Sequence, residues 1–257
     1  MQASIQVSRA PAIQYLLRLG DTCLIHAQGL AQWCGHAPIL EEDIALTNIA
    51  LDYIGQARAL LTLAGEREGA GHDEDQLAYL REERDYLNLT LVELPRGDFA
   101  VAVLRIYLLA ALLRFTWAAL ADSSDAELAA IAGKAIKEVR YHEHHAGDWV
   151  VRLGQGTDES AQRLSAALRT LWPYLREPFI ADDVDEYAKT SGLGPRWADL
   201  HDAWLIDVSA TLADAGLEVP KPTRFESTGK FGRHSEHMGF ILSDLQYLQR
   251  AFPGGAW

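Results

Sequence analysis

Apolar residues recur at every third or fourth position over long segments of the chain, and no segment alternates apolar and polar residues with a period of two. The first period is that of a helix with one buried face, and the second is that of a half-buried strand. The pattern therefore predicts an all-α protein. Eight helices are expected, near residues 11–34, 40–67, 74–93, 98–121, 125–153, 158–180, 196–216 and 235–251.

Glycine, proline and capping residues mark the ends of these helices. Gly35 and Pro38 follow the first helix, Gly69 follows the second, and Pro95 precedes the fourth. Such residues interrupt helices because glycine reaches left-handed backbone angles and proline lacks an amide hydrogen. The segment Ser124–Glu127 has the spacing of a capping box, so Ser124 is expected to cap the fifth helix.

Several of the predicted helices are long and follow one another closely, which is typical of a helical bundle. Segment 217–234 contains two prolines and has no clear period, so we expect a long ordered loop there. No internal repeat and no flexible linker marks a boundary. A single helical domain over residues 1–257 is expected, with a flexible segment at 1–12.

Composition excludes several classes of partner. The formal net charge of −13 disfavours nucleic acid and anionic membrane surfaces. Cys23 and Cys34 form no metal-binding pattern or disulfide framework, and no signal peptide is apparent, so a cytoplasmic protein is expected. Segment 99–121 is apolar, but Arg105 and Arg114 interrupt it, which favours a buried helix over a membrane span.

The most distinctive candidate for chemistry is KEVRYHEHH, residues 137–145. Helical bundles can hold two metal ions with a set of glutamates and Glu-x-x-His pairs, because residues three apart share one helix face. Here Glu138 is followed at that spacing by Tyr141, while His142 lies on the apolar face of the helix. Two interpretations stay open: metal ligation by Glu138 and His142, or a buried hydrogen bond between them.

The other helices do not complete a metal site. Three residues after Asp52, where an acid-x-x-His pair requires histidine, the chain has Gly55. Beyond its first residue, the helix 98–121 contains no aspartate or glutamate that could act as a ligand. The helix 40–67 is apolar almost all round, so we expect a central position for it, with a buried polar row of Asn48, Asp52 and Gln56. Arg105 or Arg114 is expected to neutralise a buried acid. The sequence predicts a degenerate dimetal site without bound metal, formed by Asp52, Gly55, Glu138, Tyr141 and His142.

Several segments then identify a family. The motifs WCGHAP and LDYIGQAR are its most specific marks. The chain resembles the non-catalytic, ferritin-like C subunits of the bacterial multicomponent 1,2-phenylacetyl-CoA epoxidase, which acts in aerobic phenylacetate catabolism. The matching segments are 18–61, 134–142, 153–160 and 235–257.

The resemblance implies a ferritin-like long-helix bundle with extra C-terminal helices and no cofactor of its own. It implies a catalytic A subunit that carries iron, a bridging B subunit, and a reductase that delivers electrons from NADPH to the A subunit. This chain would be a structural component of that monooxygenase and not itself catalytic.

The resemblance also implies contacts with the phenylacetyl-CoA thioester at two segments. They comprise Asp85, Tyr86, Leu87 and Asn88, and Glu186, Tyr187 and Ala188. Acidic side chains repel a polyanionic ligand, so backbone amides, Asn88 and the tyrosine rings are the better contacts. Without the resemblance, the residue pattern predicts that both segments are exposed to solvent. The first would lie at the end of a charged helix face over residues 81–85, and the second would be a loop.

Two alternatives to a structural subunit stay open at this point. One is a self-sufficient di-iron oxidase or oxygenase that uses Asp52, Glu138, His142 and His26. The other is a thioester-binding regulatory protein that does not pair with a catalytic subunit.

Overall fold

The computed structural model describes residues 2–255, and its described part consists of helices, turns and loops with no β-strand. The predicted all-α class is therefore confirmed. The described residues form two compact units, the first comprising residues 2–95 and 227–255 and the second comprising 96–226. The prediction of a single domain stays a prediction.

Two long helices that pack against each other form the centre of the first unit. The second of these helices has three acidic residues in its first turn, where the helix dipole favours negative charge. Gly69 ends the second of them in the left-handed conformation. The helices of this unit are α1 (Pro11–Ala31), α2 (Leu40–Glu68), α3 (Glu74–Tyr79) and α9 (Glu236–Ala251).

The N-terminal segment lies extended before α1 and contacts the first unit. The amide of Gln2 donates to the carbonyl of Arg250 at 2.9 Å, and the amide of Ile5 donates to the carbonyl of Leu80 at 3.0 Å. Arg9 forms an ion pair with Asp85. The flexibility expected for residues 1–12 is not tested by these contacts and stays a prediction.

The expected helix over 74–93 is wrong beyond its first turns. An Asp73–Gln76 capping box begins α3, but α3 ends at Tyr79, and only two single 3-10 turns follow before Pro95. Side chains of α1 take over the hydrogen bonding there: the amide of Leu87 donates to Asp21, and the amide of Leu89 donates to the hydroxyl of Thr22. These acceptors replace the helical carbonyls that the apolar pattern alone suggests.

The second unit is also built on a pair of packed helices, α4 and α5. Asp98 caps α4 by accepting from the amide of Val101. The cap of α5 is Asp125, which accepts from two amides, so the expected cap at Ser124 is wrong by one residue. The helices of this unit are α4 (Phe99–Leu120), α5 (Ala126–Gly154), α6 (Asp158–Leu171), α7 (Asp183–Ser191) and α8 (His201–Asp214).

α4 is long and apolar enough to cross a membrane by length and composition, but 78% of its most apolar window is buried within the protein. This burial agrees with the predicted core helix. Arg105 lies on it almost fully buried, and burial lowers the pKa of its guanidinium to about 10. The side chain therefore stays charged at neutral pH.

Prolines shorten one of the helices expected in the rest of the second unit. The helix expected over 158–180 ends at Leu171 and continues as a 3-10 segment, Trp172–Phe179, which contains Pro173 and Pro178. Proline lacks the amide hydrogen that an α-helix requires at this point. α8 likewise starts later than expected, after the 3-10 turn Trp197–Leu200. Segment 217–234 contains only one 3-10 turn, Gly229–Phe231.

Candidate functional site

The motif of residues 137–145 lies on α5 as the helical period predicts, with His142 fully buried. Tyr141, at the position where a second metal ligand is needed, is 50% exposed, and its ring stacks on that of His145 at 5.7 Å. Glu138 is partly exposed, with a carboxylate oxygen 3.7 Å from the amine of Lys134. The motif therefore combines one core histidine with groups that face the helix surface.

The corresponding positions on α2 also differ in environment. Asp52 is partly buried and Gly55 is exposed. Gln56 is buried, with its oxygen 3.8 Å from the sulfur of Cys23. Asn48 is exposed, so the expected buried row of three polar residues is wrong at its N-terminal member.

α2 packs against α1 at the centre of the first unit, but the expectation that it is buried on all sides is wrong. The helix exposes an apolar stripe, because Leu40 is 72% exposed, Ile44 54% and Leu51 59%. The all-round apolar pattern cannot distinguish a helix covered by its own chain from one whose stripe is left on the surface. Ile39 and Ile54 extend this α2 stripe, which we define as Ile39, Leu40, Ile44, Leu51 and Ile54.

A metal ion requires several ligands in one place. Within residues 2–255, no group of three or more His, Cys, Asp or Glu side chains has an arrangement that could hold one. Glycine at 55 has no ligating atom, and Tyr141 is directed to the surface of α5. The described residues do not fit a dimetal centre.

Arg114 of α4 fulfils the expectation that one arginine of this helix neutralises an acid. Its guanidinium contacts the carboxylate of Glu143 at 2.5 Å and also pairs with Asp207. The guanidinium and the Glu143 carboxylate are both mostly buried, at 23% and 17% exposed. Burial also raises the pKa of the neighbouring Tyr107 to about 12, so its hydroxyl stays neutral and able to donate.

A completely buried ion pair of the first unit joins Asp21 of α1 to Arg81. Arg81 Nη1 donates to Asp21 Oδ2 at 2.9 Å and to the carbonyl of Asp85 at 3.0 Å. Its guanidinium lies 4.2 Å from the centre of the Tyr86 ring. The expectation of a solvated charged face over 81–85 is therefore wrong for Arg81, which links three chain segments.

This network includes the first segment implied to contact the thioester. The side chains from Asp85 to Asn88 are buried. The Tyr86 hydroxyl donates to the carbonyl of Ala78 and accepts from Gln246 at 2.7 Å, and burial raises the pKa of that hydroxyl to about 12. Asn88 donates to Glu93 at 2.9 Å, while its Oδ1 accepts no hydrogen bond from the described residues.

Glu93 connects this network to the segment that precedes α9. Its carboxylate lies 2.7 Å from His234 Nδ1 and accepts from the amide of Ser235 at 2.8 Å. Burial alone lowers the pKa of His234, but the hydrogen bond and negative charge of Glu93 outweigh burial, so its pKa is raised. The His234 and Glu93 side chains are both fully buried.

The second implied thioester segment lies on α7, which the sequence pattern did not predict as a helix. Glu186 pairs with Arg196 at 2.7 Å, Tyr187 is 41% exposed, and Ala188 is buried. The hydrogen bonds that Arg196 donates to Asp199 and Glu186 raise the pKa of its guanidinium. The Asp182–Asp185 capping box begins this helix, and that spacing is the signal that could have revealed it.

The second unit also contains an aromatic cleft of about 630 Å³. The indoles of Trp172 and Trp204 stack at 6.0 Å, and the ring of Phe179 lies 5.1 Å from that of Trp204. His201 meets Phe179 edge to face at 4.8 Å. Trp204 is buried, while Trp172 and Phe179 are partly exposed.

The model of one protein family, described as phenylacetic acid catabolic protein, matches residues 1–257. The chain belongs to the phenylacetic acid catabolic protein family. The resemblance expected from the motifs on α1, α2 and α5 is thereby confirmed. One relative is the C subunit of 1,2-phenylacetyl-CoA epoxidase from Escherichia coli strain K12, which is 46% identical over 243 residues, or 95% of this chain and 98% of that protein.

The sequence predicted the long helices of this family member better than the side-chain contacts of its candidate site. The ionic network around Arg81 and the pairing of Glu93 with His234 were not found from the sequence. Both join residues separated by sixty or more positions. The spacing of apolar residues relates neighbours along one helix and carries no signal for such distant pairs.

Proposed function

We propose that this chain is the non-catalytic structural subunit of a phenylacetyl-CoA epoxidase complex in aerobic phenylacetate catabolism. The observation that carries the proposal is the end-to-end similarity to the C subunit of that enzyme. Iron would be held by the catalytic A subunit, with the B subunit bridging the assembly in the cytoplasm. This chain would stabilise the A subunit.

The residues at the predicted metal positions support a non-catalytic role. Gly55 offers no ligand atom, and the phenol of Tyr141 stacks on His145 at the surface of α5. We therefore assign His142 a structural role in the core of the second unit.

The α2 stripe supports a partner-binding role. Contiguous exposed apolar surface marks interaction sites in soluble proteins. We assign this stripe to the contact with the catalytic A subunit, because a subunit that stabilises another needs a large apolar surface. Leu40, Ile44 and Leu51 are the members with more than half of their surface exposed.

Contact with the CoA thioester is the less direct part of the proposal. The side chains from Asp85 to Asn88 are buried, so ligand contact there would require this segment to open and expose groups such as Asn88 Oδ1. On α7, the exposed ring of Tyr187 is the accessible group. Glu186 is already neutralised by Arg196, which reduces repulsion of an anionic ligand.

Metal analysis tests the non-catalytic assignment. The chain would be produced alone in iron-replete medium, reconstituted anaerobically with ferrous iron, desalted, and analysed by plasma mass spectrometry. Far less than one metal per chain is expected. One or two tightly held irons that are lost in His142→Ala and retained in His144→Ala would establish a self-sufficient metalloprotein and refute the proposal.

Co-expression with the catalytic subunit tests the structural role. We expect the two chains to purify together and the catalytic subunit alone to be less soluble and less active in epoxidation of phenylacetyl-CoA. A chain that binds an acyl-CoA but never associates with the catalytic subunit would indicate a regulatory protein instead.

A further inference from the structure

The aromatic cleft of the second unit lies outside every segment to which a function has been assigned above. It is lined by the 3-10 segment Trp172–Phe179, the start of α8 and residues 219–223. At about 630 Å³ it falls in the size range of small-molecule sites, which are mostly apolar with a few polar groups that orient the ligand. We propose that this cleft binds a small aromatic carboxylic acid.

The rings that line the cleft favour a flat aromatic ligand. Trp172 and Trp204 are nearly parallel, with 28° between their planes, and Phe179 is tilted by 50° against Trp204. Aromatic rings pair best in stacked and edge-to-face arrangements of this kind. Trp172 and Phe179 remain partly exposed, so an added ring would complete the cluster.

The charged groups at the cleft favour a carboxylate on that ligand. Arg176 lines it, and its guanidinium holds the carboxylate of Glu226 at 2.8 Å, although both side chains are about half exposed. A ligand carboxylate can replace that of Glu226 with the same geometry. The only acid among the lining residues is Asp202, which lies 2.9 Å from Nδ1 of His201 and leaves Nε2 of that ring for a ligand.

The loop that carries Glu226 is held beside the cleft by aromatic contact as well. The ring of Phe225 meets that of Tyr174 edge to face at 5.1 Å. Pro220 and Pro222 limit the conformations of the lining segment, so little order needs to be gained on binding. The cleft is therefore largely formed before a ligand enters.

Three probes test the ligand class on the intact chain by calorimetric titration up to about 10 mM, a range suited to ligands of this small size. Phenylacetate has both features, cyclohexylacetate lacks the aromatic ring, and phenylacetamide lacks the charge. We expect saturable binding of phenylacetate and at least about fivefold weaker binding of the other two, since a charged hydrogen bond and an aromatic pair each contribute that much.

Variants locate the site. Arg176→Gln is expected to weaken phenylacetate binding about tenfold, whereas Glu226→Gln, which frees Arg176, is expected to tighten it. Ala198→Phe places a ring in the cleft and is expected to abolish binding. Arg169→Gln is the matched control, because Arg169 is exposed on α6 and does not line the cleft. Circular dichroism verifies the fold of each variant.

The opposed effects of Arg176→Gln and Glu226→Gln separate a binding site from a purely structural ion pair, because loss of a structural pair would act in one direction. No saturable binding of phenylacetate, equal binding of all three probes, or unchanged binding in a folded Ala198→Phe variant would each overturn the proposal. The titration uses the chain alone, so its outcome is independent of association with a catalytic subunit.

Discussion

Replacement of Asp21 by asparagine tests the importance of the buried ion pair in the first unit. The change retains the shape of the side chain and an acceptor for the amide of Leu87, which lies 2.8 Å away. It removes the carboxylate charge that pairs with Arg81 in a position with no solvent exposure. Breaking a buried pair in this way costs about 3–5 kcal/mol of unfolding free energy.

That loss corresponds to a decrease in melting temperature of about 10–15 °C at roughly 3 °C per kcal/mol. Urea unfolding followed by circular dichroism measures the free energy, and hydrogen exchange at the amide of Leu87 localises the change. The matched control is Glu159→Gln, since the Glu159–Arg163 pair is exposed and is expected to change stability by less than about 0.5 kcal/mol.

The double variant Asp21→Leu with Arg81→Met distinguishes charge from packing. It removes both charges and is expected to recover part of the stability that Asp21→Asn loses. Recovery is incomplete because the buried amide of Leu87 and the carbonyl of Asp85 lose their side-chain partners. If Asp21→Asn costs less than about 1 kcal/mol while the control behaves as described, the pair is hydrated in solution, and the reasoning from its burial is refuted.

Three further predictions follow from other features. The raised pKa of His234 stabilises the folded state fully below about pH 6.5, the ordinary value, and this contribution is lost as pH rises through the folded pKa. Urea unfolding at several pH values should therefore show a decline in stability above pH 6.5 that His234→Gln lacks, and parallel profiles would contradict this. Leu51→Asp in the α2 stripe should reduce co-purification with the catalytic subunit at least about tenfold without a change in circular dichroism, whereas Arg169→Asp at an exposed position of α6 should not. Gly69→Ala should lower the unfolding free energy by about 1 kcal/mol, because φ is +71° at this position. The control is Gly133→Ala, at a glycine with ordinary helical angles. If thermal unfolding shows the same change in stability for both variants, the reasoning from backbone conformation is wrong.

The sequence predicted the helices whose apolar faces repeat without interruption, and it failed where side chains replace helical hydrogen bonds. α1, α2, α4 and α5 lie close to their expected positions. The non-helical segment after α3 is held by Asp21 and Thr22, which accept from the amides of Leu87 and Leu89 and are far from them along the chain. No local pattern contains that information.

The candidate site shows the same division. The burial of His142 follows from the position of that residue on the apolar face of α5, and the structure confirms it. The exposure of Leu51 could not be predicted, because an apolar residue has the same pattern whether its own chain or another covers it. The aromatic cleft was missed because its tryptophans belong to segments thirty positions apart, and only folding brings them together.

The discontinuity of the first unit has a consequence for synthesis of the chain. The amide of Gly229 donates to the hydroxyl of Thr90, and Ser235 binds Glu93, so the segment after residue 226 completes contacts begun before Pro95. The second unit is continuous in sequence and can fold as soon as it leaves the ribosome. The first unit must wait with the Arg81 network incomplete until residues 227–255 have emerged, because Gln246 and Arg250 donate to the carbonyl of Arg81. A chaperone is therefore most needed in that interval.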